Sequence, residues 1–324
     1  MAHETRNYII KKLLIAIVVL LGVYTVVFLL CFMMPGDPVR ASMGMHADPA
    51  GIALQRKLFG LDQPRHIQYF RYLSNFIRGD WGVSFRYESQ PILGLILQRL
   101  PRTAYLGIWS IIFCVALSLP LGVVAAYKQN TAVDATAIVV SQVGISLPNF
   151  WLGIMLIVVF AVVLGWVDPV PEVTNEMLWS FPGFFTSLKP YALAIVTLGT
   201  AMMASVTKMM REEMLEVSRQ DYITLLRAKG LPERRVQLNH AMRNALIPVV
   251  TIIGMQLLIL ISGAVLTETV FGINGLGRLY IEAINQRDWF IIMGTTLLFA
   301  MAVVILNLVV DLVYMLIDPR VKLR

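Results

Sequence analysis

The chain has 324 residues, of which 57% are hydrophobic and 15% are charged, with a formal net charge of +7 and a mean hydropathy of +0.71. Soluble globular domains carry about 25% charged residues, so this composition argues against a water-soluble enzyme, a disordered protein or a nucleic-acid-binding domain. The basic residues lie between long apolar runs, which is the pattern of an integral membrane protein.

Six stretches of 18 or more residues contain no Asp, Glu, Lys or Arg. A bilayer core of about 30 Å needs about 20 helical residues, and a chain in lipid must satisfy its own backbone hydrogen bonds. Each stretch is therefore predicted to be a membrane-spanning helix, and the fold class is an all-α integral membrane protein with six transmembrane helices. The stretches are 13–36, 103–127, 135–167, 190–207, 244–267 and 289–310.

The first apolar stretch is predicted to be a retained helix rather than a signal peptide. Basic residues precede it, but its 24 residues are long for a signal sequence. It ends in Cys31-Phe-Met-Met-Pro-Gly instead of a small-residue cleavage site. We therefore expect the chain to keep this helix, which ends at Pro35.

The segment 37–102 is predicted to form a small cap on the outer face. Its apolar residues recur at helical spacing, which indicates short amphipathic helices separated at Gly60, at Pro64 and at the turn 79–82. The apolar residues of this pattern are Leu54, Leu58, Leu61, Tyr69, Tyr72, Leu73 and Phe76.

The Lys and Arg residues indicate the orientation of the chain in the membrane. With the N-terminus inside, the inner segments hold 15 of them and the two short outer loops hold 3. Because basic residues concentrate in cytoplasmic loops, both termini are predicted to be cytoplasmic. The predicted division is a tail with the first helix (1–36), the extracytoplasmic cap (37–102), a five-helix core (103–318) with a cytoplasmic loop (208–245), and a cytoplasmic tail (319–324).

The cytoplasmic loop 208–245 is too long for a simple connector and is not rich in Gly and Ser. It is predicted to hold two short helices that meet at a corner. Asp221 is the expected N-cap of the first helix, Gly230 suits a left-handed position after its end, and Pro232 is the expected first residue of the second. Such a corner fits either a docking element for another protein or an elbow lying on anionic lipid.

Several polar residues inside the apolar stretches are candidates for a substrate pathway. Pro148 is expected to kink the third stretch, because it removes a backbone hydrogen bond, and Ser146 and Asn149 flank it. Gln256 and Ser262 lie in the fifth stretch, and Glu268 closes it on the outer side. The alternative for these residues is hydrogen bonding between helices or orientation of a loop.

The sequence holds no catalytic or metal-binding pattern. No G-x-x-x-x-G-K-[ST] motif occurs, so ATP binding by a P-loop is not expected in this chain. The four histidines are scattered, and the two cysteines lie inside apolar stretches. We therefore expect no enzyme activity, no metal site and no cofactor in the chain itself.

Motifs in the inner loop and elsewhere resemble the permease subunits of binding-protein-dependent ABC importers. The loop carries Arg227-Ala-Lys-Gly-Leu-Pro232 and His240-Ala-Met-Arg-Asn-Ala-Leu-Ile-Pro248. Further matches run along the chain in order, among them Pro35-Gly-Asp-Pro38, Gly79-Asp-Trp-Gly82 and Leu266-Thr-Glu-Thr-Val-Phe271. Together they are most similar to the B-type subunit of the dipeptide/oligopeptide/nickel branch, although Thr224-Leu-Leu226 replaces the Glu-Ala-Ala that opens the general signature.

This resemblance implies the type I importer transmembrane fold in the cytoplasmic (inner) membrane. The partners would be a second, C-type permease subunit, two ATPase subunits that carry ATP and Mg, an extracytoplasmic substrate-binding protein and membrane lipid, with no nucleic acid. Peptides would cross by alternating access, and the inner corner would couple the permease to an ATPase. The coupling residues it implies are Asp221, Tyr222, Leu225, Leu226, Arg227, Ala228, Lys229, Gly230 and Leu231.

Two other classes of protein remain as alternatives. An ion-coupled secondary transporter predicts several buried charges and a repeated half, whereas Asp311 is the single acid deep in an apolar stretch and no repeat is visible. An intramembrane enzyme needs a convergent nucleophile or metal site, and none is found. Within the importer class, dipeptides, longer peptides, glutathione and nickel chelates all remain open as substrates.

Overall fold

A computed structural model describes residues 2–37, 39–40, 48–87 and 90–317 of the chain. The predicted cytoplasmic tail 319–324 lies outside these residues. No strand occurs within the described ranges, apart from an isolated antiparallel bridge between Val83 and Pro91. The helices are α1 (Ala2–Met33), α2 (Pro49–Phe59), α3 (Arg65–Ile77), α4 (Ile92–Tyr127), α5 (Ala132–Ser146), α6 (Asn149–Leu156), α7 (Asn175–Trp179), α8 (Phe181–Thr186), α9 (Leu188–Ser218), α10 (Asp221–Ala228), α11 (Glu233–Arg235), α12 (Met242–Val270), α13 (Leu276–Gln286) and α14 (Trp289–Ile317).

The membrane-spanning class predicted from composition is confirmed. Four helical segments in the described part of the chain are long and apolar enough to cross a bilayer on their own. Two further spans consist of helix pairs that are bent at a short break, so the total is six when each pair counts as one. The four single segments are Ile10–Met33, Ile92–Tyr127, Leu188–Ser218 and Trp289–Asp311.

The third apolar stretch is broken at Pro148, as predicted. α5 ends at Ser146, Pro148 takes an extended conformation before α6, and the two halves of the pair meet at 102°. Proline lacks the N–H that would continue α5, and the residue before it is disfavoured from helical geometry. The second half continues from α6 into a π-helical segment, Ile157–Val163. One apolar run in the sequence therefore forms two helices of very different direction.

The described residues divide into two compact units, and the first comprises those within 2–103 and 274–304. Its core joins aromatic and aliphatic side chains of α1, α4, α13 and α14 with the segment between α1 and α4. The side chain of Asp288, which precedes α14, accepts hydrogen bonds from Ser84 Oγ at 2.6 Å and from the backbone N–H of Phe85 at 2.9 Å. Ser84 and Phe85 are thereby fixed to the start of the last helix.

The short helices predicted in the segment 37–102 are present. α2 ends at Gly60, whose left-handed φ of 69° allows its N–H to bond the carbonyl of Lys57. α3 begins directly after Pro64. The turn after α3 places Gly79 and Gly82 at positive φ, which only glycine adopts readily.

The second unit comprises the described residues within 104–273 and 305–317. Its centre is the packing of α9 against α12, with α5 and α6 packed on α9. Two glycines allow α4 to approach α9 closely, because a Cβ at Gly122 of α4 or at Gly199 of α9 would lie 2.6 Å from a side-chain atom of Met210 or Phe113, respectively. α9 extends to Ser218, eleven residues beyond the apolar run that ends at Thr207. Part of the predicted loop 208–245 is therefore a continuation of a spanning helix.

Candidate functional site

The candidate site is the corner formed by α10 and the helix that follows it, within the second unit. α10 spans Asp221–Ala228. The predicted N-cap was wrong by one residue: Gln220 occupies the extended N-cap position and Asp221 is the first helical residue. The Asp221 carboxylate still lies at the positive end of the helix dipole.

The end of α10 follows the hydrogen-bond pattern of a Schellman motif. The N–H of Gly230 donates to the carbonyl of Arg227 at 2.9 Å, and the N–H of Leu231 donates to that of Leu226 at 3.3 Å. Gly230 has a φ of +79°, as the sequence predicted for this position. Leu226 and Leu231 both pack against the same apolar core, which completes the motif. The chain therefore turns sharply and at a defined angle after Ala228.

The second helix of the corner differs in detail from the prediction. Pro232 takes the extended N-cap position, so Glu233, not Pro232, is the first helical residue. The short α11 passes into a π-helical segment, Val236–Ala241, and then into α12. The corner is consequently attached to a membrane helix without any intervening loop.

An ion pair joins the two sides of the corner. Arg227 donates to both carboxylate oxygens of Glu233, with Nε–Oε2 at 3.0 Å and Nη2–Oε1 at 2.9 Å. The hydrogen bond to Glu233 raises the pKa of the Arg227 guanidinium, which therefore keeps its charge. Arg227 Nη1 also donates to the carbonyl of Ser218 at 3.3 Å, and Gln237 Nε2 donates to Glu233 Oε1 at 2.7 Å. These contacts connect the end of α9, α10 and the start of the next helix.

The two faces of α10 have different environments. Ile223 is completely buried in a core that includes Val236, Ala241 and Met214. Tyr222 and Leu225 are 36% and 55% exposed on the opposite side, where Ala228 is also exposed. Tyr222 Oη accepts a hydrogen bond from Asn244 Nδ2 at 2.6 Å, which fixes the ring against the start of α12. The corner therefore presents a rigid apolar face that has no covering element among the described residues.

The surface beside this apolar face is acidic. A shallow groove between the end of α9 and the start of α10 is lined by Glu212, Glu216 and Asp221, together with Arg219 and Gln220. Three carboxylates at the mouth of one groove attract a basic surface. The corner thus combines an apolar contact area with an acidic groove on its α9 side.

A second ion pair in this unit was not found from the sequence. Arg211 of α9 donates to both carboxylate oxygens of Asp134 in α5, with Nη2–Oδ2 at 2.8 Å, and Asp134 is 3% exposed. The other donor to Asp134 Oδ2 is the N–H of Asn130, at a φ of 62° in the turn before α5. In the sequence, Asp134 is visible only as an acidic residue at the edge of an apolar run. That position does not indicate that its partner is Arg211, 77 positions away.

Four of the five predicted pathway residues lie beside the bends of the two bent spans. Ser146 and Asn149 lie on either side of the break at Pro148, and the Ser146 hydroxyl donates to the carbonyl of Gln142 at 2.9 Å. Gln256 and Ser262 lie on either side of a 49° bend between Leu257 and Leu260. Discontinuous helices commonly form the substrate sites of transporters. The role of these four residues in transport stays a prediction.

Glu268 differs from the other pathway candidates because it is completely buried. It lies in the last turn of α12, where its backbone carbonyl accepts a hydrogen bond from the N–H of Ile273 at 2.9 Å. A buried carboxylate is costly unless it is paired. A role of Glu268 in contacting substrate also stays a prediction.

Comparison with known families defines the class of this protein. Residues 118–323 match the family described as the inner membrane component of binding-protein-dependent transport systems, and residues 5–107 match its N-terminal membrane component. The chain belongs to this family and is a permease subunit of an ABC importer. Importers of this kind act together with ATPase and substrate-binding subunits, so the chain is a transport subunit rather than an enzyme.

Individual relatives place the chain in the peptide branch of the family. It is 37% identical over 315 residues to the oligopeptide transport system permease protein AppB of Bacillus subtilis, covering 97% of this chain and 99% of the relative. It is 38% identical over 330 residues to the dipeptide transport system permease protein DppB of Alkalihalophilus pseudofirmus, with the same coverage. It is also 38% identical over 318 residues to the glutathione transport system permease protein GsiC of Escherichia coli, covering 98% and 99%.

Proposed function

We propose that this chain is the B-type permease subunit of an ATP-driven importer that moves dipeptides and oligopeptides across the inner membrane. The observation that carries the proposal is the clamped corner at residues 218–237 with its exposed apolar face at Tyr222, Leu225 and Ala228. A surface that transmits force from a motor protein must be both exposed and rigid. An elbow lying on lipid needs exposure but no clamp across its turn.

In this proposal, an ATPase subunit binds the apolar face of α10 and transmits the closure of the ATPase pair to the permease. The Arg227–Glu233 pair and the Schellman turn transfer the movement to α9 and to the helix that follows the corner. The permease then alternates between inward-facing and outward-facing states, with nucleotide binding on the ATPases shifting the equilibrium. ATP and Mg bind on the ATPase subunits, and both termini of this chain are cytoplasmic.

The remaining partners are a C-type permease subunit, which completes the pathway, and an extracytoplasmic binding protein, which delivers the substrate. Glutathione is the second candidate substrate, because a glutathione permease is as similar to this chain as the peptide permeases are. Nickel chelates have no such support from the named relatives. Competition binding of dipeptides, oligopeptides and glutathione to the cognate binding protein distinguishes these substrates.

The coupling role is tested by placing one charge on the apolar face, where ATPase binding would bury it. Leu225→Asp should remove the ATPase subunits from the purified complex and abolish peptide uptake, because a carboxylate would be desolvated in the docking groove. Leu54→Asp is the matched control, since Leu54 is a similarly exposed leucine of the short helix α2 in the other unit. Normal ATPase binding by Leu225→Asp, or peptide transport by the lone chain in ATP-free vesicles, would contradict the proposal.

A further inference from the structure

Helix α3, in the segment predicted to be an outer cap, carries apolar side chains on its exposed side as well as on its packed face. One face, with Tyr69, Tyr72, Leu73 and Phe76, packs against the core of the first unit. The other face exposes Ile67, Phe70 and Ile77, which are 43%, 66% and 75% exposed. Their spacing of three and seven residues places them on one stripe of the helix. A water-exposed cap helix would carry polar residues at these positions.

The contacts of α3 with α1 show how deep this helix lies. Tyr24 Oη donates to the carbonyl of Tyr69 at 2.9 Å, and Thr25 Oγ1 lies 2.8 Å from Tyr69 Oη. Both α1 residues belong to the apolar segment Ile10–Met33. Tyr24 precedes Met33 by nine residues, so it lies about 13 Å from the end of that segment at about 1.5 Å per residue. The middle of α3 is therefore at the depth of lipid rather than of bulk water.

Two further contacts give the direction in which α3 enters. The guanidinium of Arg65, at the start of α3, lies 5.6 Å from the ring centre of Phe32, close to the Met33 end of α1. Beyond the other end of α3, the Trp81 ring packs beside Gly294. A Cβ on Gly294 would lie 3.3 Å from an atom of that ring. Gly294 is five residues inside α14, or about 8 Å from its start. α3 therefore runs along α1 from its Met33 end towards its middle. After Trp81 the chain runs back towards the start of α14.

The orientation of Arg71 fits this depth. Its guanidinium occupies the space that a Cβ on Gly60 would need. The Arg71 side chain therefore extends from the middle of α3 back towards the turn between α2 and α3. That turn is at the Met33 end of α1, where the apolar segment stops. Long cationic side chains in a membrane extend in this way towards the nearest headgroups.

We propose that α3 is embedded in the membrane leaflet at the Met33 end of α1, which is the outer leaflet in the predicted orientation. Ile67, Phe70 and Ile77 contact acyl chains. Lipid is the occupant that fits, because the same part of α1 exposes Val26, Leu29 and Leu30 to the bilayer. The segment is then a membrane anchor of the permease. This inference does not depend on the substrate or on coupling to ATP.

Spin labels on single cysteines test the proposal in the transporter purified with its partners and reconstituted in phosphatidylethanolamine and phosphatidylglycerol vesicles. The probes are Phe70→Cys and Ile77→Cys, two positions on the exposed stripe. Leu30→Cys, on the exposed side of α1, is the lipid reference, and Asp62→Cys, in the exposed turn between α2 and α3, is the water reference. The unsubstituted chain, with Cys31 and Cys114 buried, is the labelling blank.

We expect the ratio of collisions with oxygen to collisions with a water-soluble nickel chelate to rise at both probes to the value of Leu30→Cys. A ratio equal to that of Asp62→Cys would overturn the proposal, because the helix would then lie in water. Protection of both probes from oxygen and from the chelate would also overturn it, since a protein partner would then cover the stripe. Retained peptide uptake by each variant serves as the check that the probe has left the fold intact.

Discussion

Arg227 and Glu233 lie on opposite sides of the turn at Gly230 and are joined by two hydrogen bonds of 3.0 and 2.9 Å. Both side chains are more than a third exposed, so the pair contributes about 0.5–1 kcal/mol to stability. Its importance is geometric: it restricts the angle between α10 and the helix that enters the membrane. The pair should therefore affect the efficiency of coupling more than it affects folding.

The first prediction concerns this pair. Arg227→Ala and Glu233→Ala should each lower the amount of peptide transported per ATP hydrolysed, with little change in thermal stability, because the corner becomes free to bend. The exchange Arg227→Glu with Glu233→Arg should recover part of the loss. Lys208→Ala is the control, since Lys208 and Glu212 form an exposed pair at 4.0 Å that holds no turn. An equal loss in the control would contradict the geometric role.

The second prediction concerns Gly230 itself. Nothing lies within 4 Å of a Cβ at this position, so the requirement is its φ of +79° alone. Gly230→Asn should retain most of the uptake, because asparagine tolerates the left-handed region, whereas Gly230→Val should lose about 1–2 kcal/mol at the turn. Gly230→Pro should uncouple ATP hydrolysis from uptake, since it fixes φ near −65° and removes the N–H that bonds Arg227. If all three variants transported a similar amount of peptide per ATP hydrolysed, the role given to the φ angle of Gly230 would be refuted.

The third prediction concerns the buried pair of Asp134 and Arg211. Asp134→Asn should lower the free energy of unfolding by about 3 kcal/mol, because the Arg211 guanidinium, with 18% of its side chain exposed, keeps its charge without its partner. The double substitution Asp134→Leu with Arg211→Met should be less destabilising than Asp134→Asn. Thermal denaturation of the purified complex measures both effects. If the losses of stability in Asp134→Leu and in Arg211→Met add up to the loss in the double variant, the pair is not coupled.

The fourth prediction compares two glycines of α4. A Cβ at Gly122 would lie 2.6 Å from Met210 Cβ and 2.9 Å from the backbone carbonyl of Thr207, so Gly122→Ala should destabilise the second unit by about 1–3 kcal/mol. Gly94 lies in the same helix with nothing within 4 Å of its Cβ position. Gly94→Ala should therefore leave the denaturation temperature unchanged or raise it slightly. Equal effects would mean that α4 and α9 are not in close contact.

The fifth prediction is a pH dependence that originates at Asp288. Burial raises the pKa of its carboxyl above the ordinary value of 3.8, although hydrogen bonds from Ser84 and from the backbone N–H groups of Ile291 and Phe85 oppose the shift. The folded chain therefore binds this proton more tightly than the unfolded chain does. As pH falls through the raised pKa towards 3.8, the group adds stability, and as pH rises that stability is lost.

Asp288→Asn removes this titration and keeps one acceptor oxygen for Ser84 and Phe85, while the amide NH2 replaces the oxygen that accepts from Ile291. Its denaturation temperature, relative to that of the native chain, should therefore be highest at neutral pH and should decline as pH is lowered. Asp288→Ala should be less stable at every pH by about 1–2 kcal/mol, because it leaves the Ser84 hydroxyl and the start of α14 without an acceptor. A difference between Asp288→Asn and the native chain that does not vary with pH would contradict the assignment.

Much of the fold could be predicted from the sequence because it depends on local chemistry. The spans follow from runs of apolar residues, since a backbone in lipid has to form its own hydrogen bonds. Helix ends are marked by residues whose own φ angle interrupts a helix, namely Gly60, Pro64, Pro148 and Gly230. The two errors at the corner, at Asp221 and Pro232, were shifts of one residue, which local rules resolve poorly because several residues near a helix start satisfy them.

The sequence by itself therefore determined the membrane class, the approximate spans and the position of the corner. Only the tertiary structure decided which polar side chains pair. It joins Arg227 to Glu233, Arg211 to Asp134, and Ser84 to Asp288, which lies 204 positions further along the chain. It also decided the 102° break at Pro148 and the depth of α3 beside α1. The reason is that a residue's type sets what it can bond to, whereas helix packing sets what comes within about 3 Å of it.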